Sequence, residues 1–445
     1  MDCRNCSRHG NINDIKDSMI DIRHKKITVL GAQKSGLALL RLIDRFHGIG
    51  KLSDKGNSSY LTADIRSWLS EKNILWEENG HTRSFIEDSD YVLLSPGVRI
   101  DSDPVIWAKE KNIIVLGEIE FAYQFCSNPV IAVTGSNGKT TTTTLIHKVL
   151  EKAGLRSCLC GNIGFPFSQA VLENKETDFF VCEISSFQLE SLFPLTSDYK
   201  NKGLKGFKPS IAVFVNFNQN HLDRHKDLNE YFEAKAKIFQ NQDQDDFSVL
   251  NAQEERMKLL SKKILSCPVF FDGHATNPNQ AAVIAVADIL KIKRTICENV
   301  FKEFKGVEHR LEFIREFQGV DYINDSKATT VDSGRWALKS MEKPVVMICG
   351  GSNKNLDYGE LKDLVKKKVK KMIVLGEIKE LLEQTFKDAT EVELASGFDD
   401  AIVRAKNTAR PGDCILLSPM TASYDMFKNF EERGQTFKKI VMALK

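Results

Sequence analysis

The chain has 445 residues, 42% of them hydrophobic, with 62 Lys and Arg against 60 Asp and Glu and a formal net charge of +2. That length suits about three domains of roughly 150 residues, and so even a charge balance gives no electrostatic case for nucleic acid or an anionic membrane. No apolar run approaches the ~20 residues of a membrane span, and the polar N-terminus lacks a signal-peptide core, so a cytoplasmic protein is expected.

A polar extension runs to about residue 24; its Cys3 and Cys6 form a lone CxxC with no second pair, which reads as a tail and not a zinc site. The other eight cysteines are scattered and read as reduced. Residues 27–30 form a strand entering Gly31-Ala32-Gln33-Lys34-Ser35-Gly36, and an apolar helix continues to Leu42. Gln33 takes the place of the middle glycine of the dinucleotide fingerprint, so hydride chemistry has little support, while a phosphate or nucleotide-sugar remains compatible. Strands at 91–94 and 113–116 complete a small α/β unit near Gly117.

The next stretch carries a strand at 130–133, then Thr134-Gly135-Ser136-Asn137-Gly138-Lys139-Thr140-Thr141, then a helix marked by Leu145, Ile146, Val149 and Leu150. Strand, glycine turn and helix are the setting of a phosphate cradle. The glycines let backbone N–H groups approach phosphate oxygens, and the helix aims its positive end there. Lys139 adds a mobile charge, and the Thr140 hydroxyl can ligate magnesium. Only two residues separate Gly135 from Gly138-Lys139, where the common cradle has four.

Further near-continuous apolar strands at 179–182, 211–215 and 247–250 read as buried and parallel. In such sheets ligands bind beyond the carboxyl ends of strands, which singles out Glu183 as a carboxylate for the cradle's magnesium. His221, in Asn220-His221-Leu222-Asp223-Arg224-His225, also follows a strand; a structural histidine and one that ligates metal or shuttles protons stand here on equal footing. Lys235 lies in an amphipathic helix and by itself reads as solvated.

Beyond residue 305, an alternating segment at 320–323 leads into Asn324-Asp325-Ser326-Lys327-Ala328-Thr329-Thr330, and strands at 345–348, 373–375 and 415–417 each precede a glycine or serine turn. The run 418–434 passes from small hydroxyl residues to aromatics, a mix suited to a small polar substrate. Three α/β domains with mostly parallel sheets are expected, at 25–117, 118–305 and 306–445.

Taken in order, TGSNGKTT at 134–141, EISSFQLE at 183–190, HLDRH at 221–225, NDSKAT at 324–329 and the 418–434 run resemble the Mur ligase family, from about residue 27 to the C-terminus. The pair EISSFQLE and SPxxASxDxFxNFExRG is similar to its D-glutamate-adding branch. The resemblance implies an N-terminal Rossmann-like domain for a UDP substrate, a central P-loop ATPase and a C-terminal Rossmann-like domain for an amino acid. It implies ATP on Gly135, Ser136, Asn137, Gly138, Lys139, Thr140, Thr141, Asn279, Arg310 and Asp325. A first magnesium would sit on Thr140 and Glu183, and a second on His221 and a carbamate formed from carbon dioxide on Lys235, which replaces the solvated-lysine reading.

Lys139, Glu183, His221, Lys235 and Lys327 form the implied catalytic set. Ser35, Asp54, Ser95, Gly97, Asn162, Ser185 and Gln188 would line the path of UDP-N-acetylmuramoyl-L-alanine, and Thr329, Lys354, Ser423, Tyr424 and Phe430 would frame D-glutamate. The implied reaction passes through an acyl phosphate, in a monomer with no nucleic-acid partner. Closure of the third domain would exclude water. Asn220 stands where relatives usually carry Asp, and Asn277 and Asn279 sit where they have a His-Asn pair ahead of the second asparagine. The alternatives are a ligase of the same superfamily for another amino acid or a folate acceptor, and a silent nucleotide-binding regulator.

Overall fold

The computed structural model describes residues 20–56, 61–173, 176–218, 225–274, 277–353 and 356–444, which build three sheets. The first has the order β3-β2-β1-β4-β5, from β1 (Lys26–Leu30), β2 (Ile49–Ser53), β3 (Leu75–Glu77), β4 (Tyr91–Leu94) and β5 (Ile114–Gly117), all parallel. The strand order reverses between β1 and β4, so a crevice opens beyond their carboxyl ends, where Gly31 and Ser95 lie.

The second sheet is also wholly parallel: β6 (Val130–Thr134), β7 (Ser157–Gly161), β8 (Phe179–Glu183), β9 (Ile211–Phe214), β10 (Phe247–Asn251) and β11 (Cys267–Phe271), in the order β11-β10-β9-β6-β8-β7. β6 lies between β8 and β9, and the cradle leaves its carboxyl end. The third sheet runs β12-β13-β17-β14-β15-β16, from β12 (Glu312–Phe317), β13 (Val320–Asn324), β14 (Val345–Gly350), β15 (Val369–Leu375), β16 (Glu391–Leu394) and β17 (Cys414–Leu417). Only β12 is antiparallel there, paired with β13 across the Gln318-Gly319 turn.

The chain divides into two compact units, 1–303 and 304–445. The first two sheets share a unit because the helix Glu118–Tyr123 is apolar on the side where they meet: Ile119, Phe121 and Ala122 join one buried cluster with Val29 and Leu93 of the first sheet and Phe180 and Phe214 of the second. Two buried carboxyls fasten this helix. Glu118 Oε1 accepts from the Ser168 amide (2.7 Å) and hydroxyl (2.6 Å), and Glu120 Oε1 accepts from the Phe207 amide (2.7 Å). Burial pushes both acids up, Glu120 to about 8, so it stands largely neutral at pH 7.

Ile20 and Ile22, inside the stretch read as extension, are buried in the same cluster, so the ordered domain starts at least as early as Ile20. The cysteines among the described residues are free thiols, as expected from their scatter. No helix among the described residues is long and apolar enough to cross a membrane.

Candidate active site

β6 delivers the chain to Gly135 (φ +152°) and Gly138 (φ +77°), and the helix Lys139–Lys152 starts directly after. Gly138 needs its missing side chain twice over: its φ is left-handed, and a β-carbon there would collide with Oδ1 of Asn279. Asn279, at the start of the helix Pro278–Ile289, thus lies against the cradle, and the Thr142 hydroxyl lies 3.4 Å from the same oxygen. A residue that sequence reasoning passed over, Asn216, brackets the loop beyond β9. Its carbonyl accepts from the Ser136 amide (3.0 Å), its Oδ1 accepts from the Asn137 amide (2.9 Å), and its Nδ2 donates to the Asn137 carbonyl (3.1 Å). Lys139 Nζ folds back on the carbonyls of Gly135 (2.8 Å) and Ser136 (3.1 Å).

Glu183 ends β8 beside β6 and is 1% exposed; the Thr140 residue is 2% exposed. Asn162 orients Glu183, donating from Nδ2 to Oε1 (2.7 Å) and from its amide to the Glu183 carbonyl (2.8 Å). A hydroxyl and a carboxylate are hard oxygen donors of the kind magnesium takes, and a glycine cradle that a β-carbon would fill fits a phosphate chain, so the residues present fit both groups.

Lys235 is not solvated. The inner face of the helix Leu228–Ala236 buries Tyr231, Phe232, Ala234 and Lys235 together, and the Lys235 residue is 1% exposed. Its amine donates to the Gly135 carbonyl at 2.9 Å and stands 4.7 Å from the Tyr231 ring centroid. Burial, then the charge of Lys139, pushes the amine well below its usual range, against a smaller opposing pull from Glu183. His225 is also buried, 3.2 Å from the Ser186 hydroxyl and 3.4 Å from the Glu190 carboxylate. His221, with Asn220 and Asp223, lies outside the described residues, as do Lys354, Cys3 and Cys6.

Four of the residues assigned to the nucleotide-sugar path gather at the crevice of the first sheet. Asp54 Oδ2 accepts from the Ala32 amide (2.6 Å), the Ser95 hydroxyl donates to the Gly31 carbonyl (3.2 Å), Gly97 follows β4, and Ser35 lies in the first turn of the helix Lys34–Arg45. Ser185 and Gln188 have structural work as well. They form a reciprocal capping box on the helix Ser186–Glu190, with the Ser185 amide donating to Gln188 Oε1 (3.0 Å) and the Gln188 amide to the Ser185 hydroxyl (3.3 Å).

In the second unit, Asp325 follows β13 and is 4% exposed, accepting from the Leu311 amide (3.2 Å) and the Ser418 hydroxyl (3.0 Å). Burial raises this acid to about 7. The Lys327 amide donates to the His309 carbonyl at 2.9 Å, which laces the loop carrying Lys327 to the turn carrying Arg310. Lys327 Nζ lies 5.9 Å from the ring of Phe430, and the Ser326 hydroxyl donates to the Phe430 carbonyl at 2.8 Å. Ser423 is buried, Tyr424 is 56% exposed, and Thr329 is half-buried in the turn after Lys327.

Arg433 kept its role hidden from sequence reasoning because it sits among charged neighbours on a helix. Its guanidinium is buried and clamps two loops, donating to the hydroxyl (3.0 Å) and carbonyl (2.9 Å) of Ser326 and to the carbonyls of Thr421 and Ala422 (both 3.3 Å). Glu308, His309 and Glu312 bring three metal-type ligand atoms together, but Lys438 Nζ already bonds Glu308 (2.8 Å) and Glu312 (2.6 Å) and fills the place of a cation.

Residues 26–104 match the MurD N-terminal domain, 133–292 the Mur ligase middle domain and 309–420 the Mur ligase glutamate ligase domain. The chain belongs to the Mur ligase family. It is 35% identical to the UDP-N-acetylmuramoylalanine–D-glutamate ligase of Thermoanaerobacter sp. (strain X514), covering 96% of this chain and all of that one. It is 37% identical to the enzyme of the same name from Pelotomaculum thermopropionicum, covering 96% and 99%. In fold it is similar to the UDP-N-acetylmuramate-alanine ligase of Thermotoga maritima, with TM-score 0.56 and 17% identity over 95% of this chain and all of the other.

Proposed function

We propose that this protein joins D-glutamate to the free carboxyl group of UDP-N-acetylmuramoyl-L-alanine, converting ATP to ADP and phosphate, as a monomer in the cytoplasm. The observation that carries the ATP-dependent step is the meeting of the glycine cradle, Glu183, Asn279 and Lys235 beyond β6, β8 and β9. The choice of amino acid rests on the activity named for relatives that align over nearly the whole chain.

The precursor carboxylate attacks the γ-phosphorus of ATP, ADP leaves, and the acyl phosphate formed is then attacked by the amine of D-glutamate. The amine loses a proton, phosphate departs and an amide remains. Lys139 neutralises charge where two anions must touch. Thr140 and Glu183 would hold a magnesium ion, which would supply further positive charge for the phosphoryl oxygens. The Gly135–Gly138 loop and Asn279 seat the triphosphate; Asp54, Ser95 and Gly97 seat the uridine diphosphate end; by the family resemblance Arg310, Asp325 and Lys327 serve the nucleotide and the transferring phosphoryl group, and Thr329, Lys354, Ser423, Tyr424 and Phe430 the amino acid. The domains correspond to a first one that ends at residue 117 and includes Ile20 and Ile22, then residues 118–305 and 306–445.

Lys235 fits a carbamate site. Burial, then the charge of Lys139, lowers its amine and so favours the neutral form, and a neutral amine adds to carbon dioxide with release of one proton, leaving an N–H that keeps the bond to the Gly135 carbonyl. With His221, that carbamate would hold a second magnesium.

The test is phosphate release with the precursor and a panel of amino acids. D-glutamate alone should support turnover, with oxygen-18 passing from the precursor carboxylate into phosphate, and Lys139→Ala should abolish it. Turnover with a different amino acid, or label that stays in the precursor, overturns the reading.

A further inference from the structure

Arg310 is presented by a backbone with little freedom. Its neighbours His309 and Leu311 both hold left-handed conformations, with φ of 62° and 42°, a costly state for residues with a β-carbon. The surroundings enforce it. The His309 carbonyl accepts from the Lys327 amide, the Leu311 amide donates to Asp325 (3.2 Å), and the Arg310 amide closes a turn on the Val307 carbonyl (3.1 Å).

The turn sets where the Arg310 side chain leaves the backbone, yet a guanidinium at the end of a long flexible stem must still be placed, and ordering it costs rotamer entropy. An aromatic ring meets it: Arg310 Cζ lies 5.6 Å from the ring centroid of Trp336. Trp336 stands on the helix Val331–Ser340, which begins directly after the Asp325–Thr330 loop and is capped by the Thr330 hydroxyl accepting from the Ser333 amide (3.2 Å). The opposite side of that helix is pinned, since a β-carbon on Gly334 would collide with Met420. Trp336 remains 42% exposed, so filling the core does not account for so large a ring here.

A cation over an aromatic face suits this task. An arginine bound over an aromatic face uses its π-surface, while its N–H donors lie in the guanidinium plane and stay directed outward for phosphate oxygens. We propose that Trp336 is a positioning residue for the nucleotide, holding the Arg310 guanidinium by its indole face so that the charge on ATP meets a preset donor. The proposal rests on the reading of Arg310 as an ATP contact.

Two arms test it on the full chain. In steady-state kinetics, Trp336→Leu should raise KM for ATP about three- to tenfold with KM for D-glutamate unchanged. Trp336→Phe, which keeps a ring face, should stay within about twofold of wild type, and Trp336→Leu should add nothing in an Arg310→Ala background. In the second arm, ATP is titrated against tryptophan fluorescence. Trp68, Trp76 and Trp107 lie far earlier in the chain, so a change present in wild type and lost in Trp336→Phe reports this ring. An unchanged KM for ATP in Trp336→Leu, equal defects in the Phe and Leu variants, or the same effect without Arg310 would overturn the proposal. The fluorescence arm reads binding without turnover, so it decides the matter even where D-glutamate proves not to be the substrate.

Discussion

The amine of Lys235 donates to the carbonyl of Gly135 at 2.9 Å across a sequence separation of 100 residues. The helix Leu228–Ala236 is therefore tied to the glycine loop, and the buried amine points at its first glycine. Burial and Lys139 push that amine well below its usual range, which favours the neutral form that adds to carbon dioxide.

Lys235→Ala should accordingly lose roughly 10²-fold or more in kcat and regain part of it in formate or acetate, which can supply the missing oxygens. Wild-type activity should fall in carbon-dioxide-depleted buffer and return with bicarbonate. Phosphate-release assays read both effects; indifference to bicarbonate together with no rescue would remove the carbamate from the site.

Gly138→Ala sets a left-handed residue and a β-carbon against Asn279 Oδ1. The left-handed state alone costs about 1–2 kcal/mol, and displacement of Asn279 adds to it. The expected result is a lower melting temperature and a KM for ATP raised about tenfold. Replacing Asn279 with Ala in the same chain should recover part of the stability and none of the affinity, because the clash goes but the contact is gone too. Full recovery of both would show that Asn279 has no part in binding.

Much of this site was legible because its signals are local. A strand, two glycines, Lys139 and a run of threonines are contiguous, and Glu183 is marked by the end of an apolar strand. Burial of Lys235 was not legible from its helix, whose periodicity does not say which face meets the core; Tyr231 and Phe232 packing beside Phe217 decide that. Arg433 stood inside the 418–434 motif, but its clamp role gave no local sign, since its partners Ser326 and Thr421 come from distant turns. Nor could composition show that the first two sheets share one core, which depends on Phe121 meeting residues of both. Short strands with glycine, lysine or glutamate, such as β2, β7 and β16, lack the apolar run that betrays buried strands, and β12, on an edge with its register shifted between Phe313 and Arg315, shows neither an apolar run nor a strict alternation.

Asp325 makes stability depend on pH in a direction opposite to a salt-bridged acid. Its folded value, about 7, lies above the unfolded value near 3.8, so the folded chain binds the extra proton between these limits. Its contribution is fully present below pH ~4 and is lost as pH rises towards 7, by on the order of 2–4 kcal/mol. Asparagine can still accept from the Leu311 amide, and the Ser418 hydroxyl can turn to accept from the new NH₂. Asp325→Asn should therefore gain melting temperature relative to wild type between pH 5 and pH 8 while losing activity. Comparing variant with wild type cancels Glu118 and Glu120, which titrate in both. A melting difference that stays flat across this range would refute the argument.

Arg433 offers the clearest separation of charge from geometry. Its four donated bonds reach Ser326, Thr421 and Ala422 inside the third domain, and burial lowers the guanidinium only to about 10, so it stays charged at neutral pH. Arg433→Ala would leave buried carbonyls without donors, costing roughly 3 kcal/mol or more. Arg433→Lys keeps a charge but cannot span both loops, because an ammonium on one stem has no planar fork. The lysine variant should thus fold with a smaller loss, near 1–2 kcal/mol by the same reckoning. Yet KM for D-glutamate should rise several-fold, since Ser326 lies beside Lys327, and Thr421 and Ala422 lead directly into Ser423. Denaturant melts and D-glutamate kinetics on the pair decide it: a lysine variant with wild-type KM would mean the clamp serves stability alone.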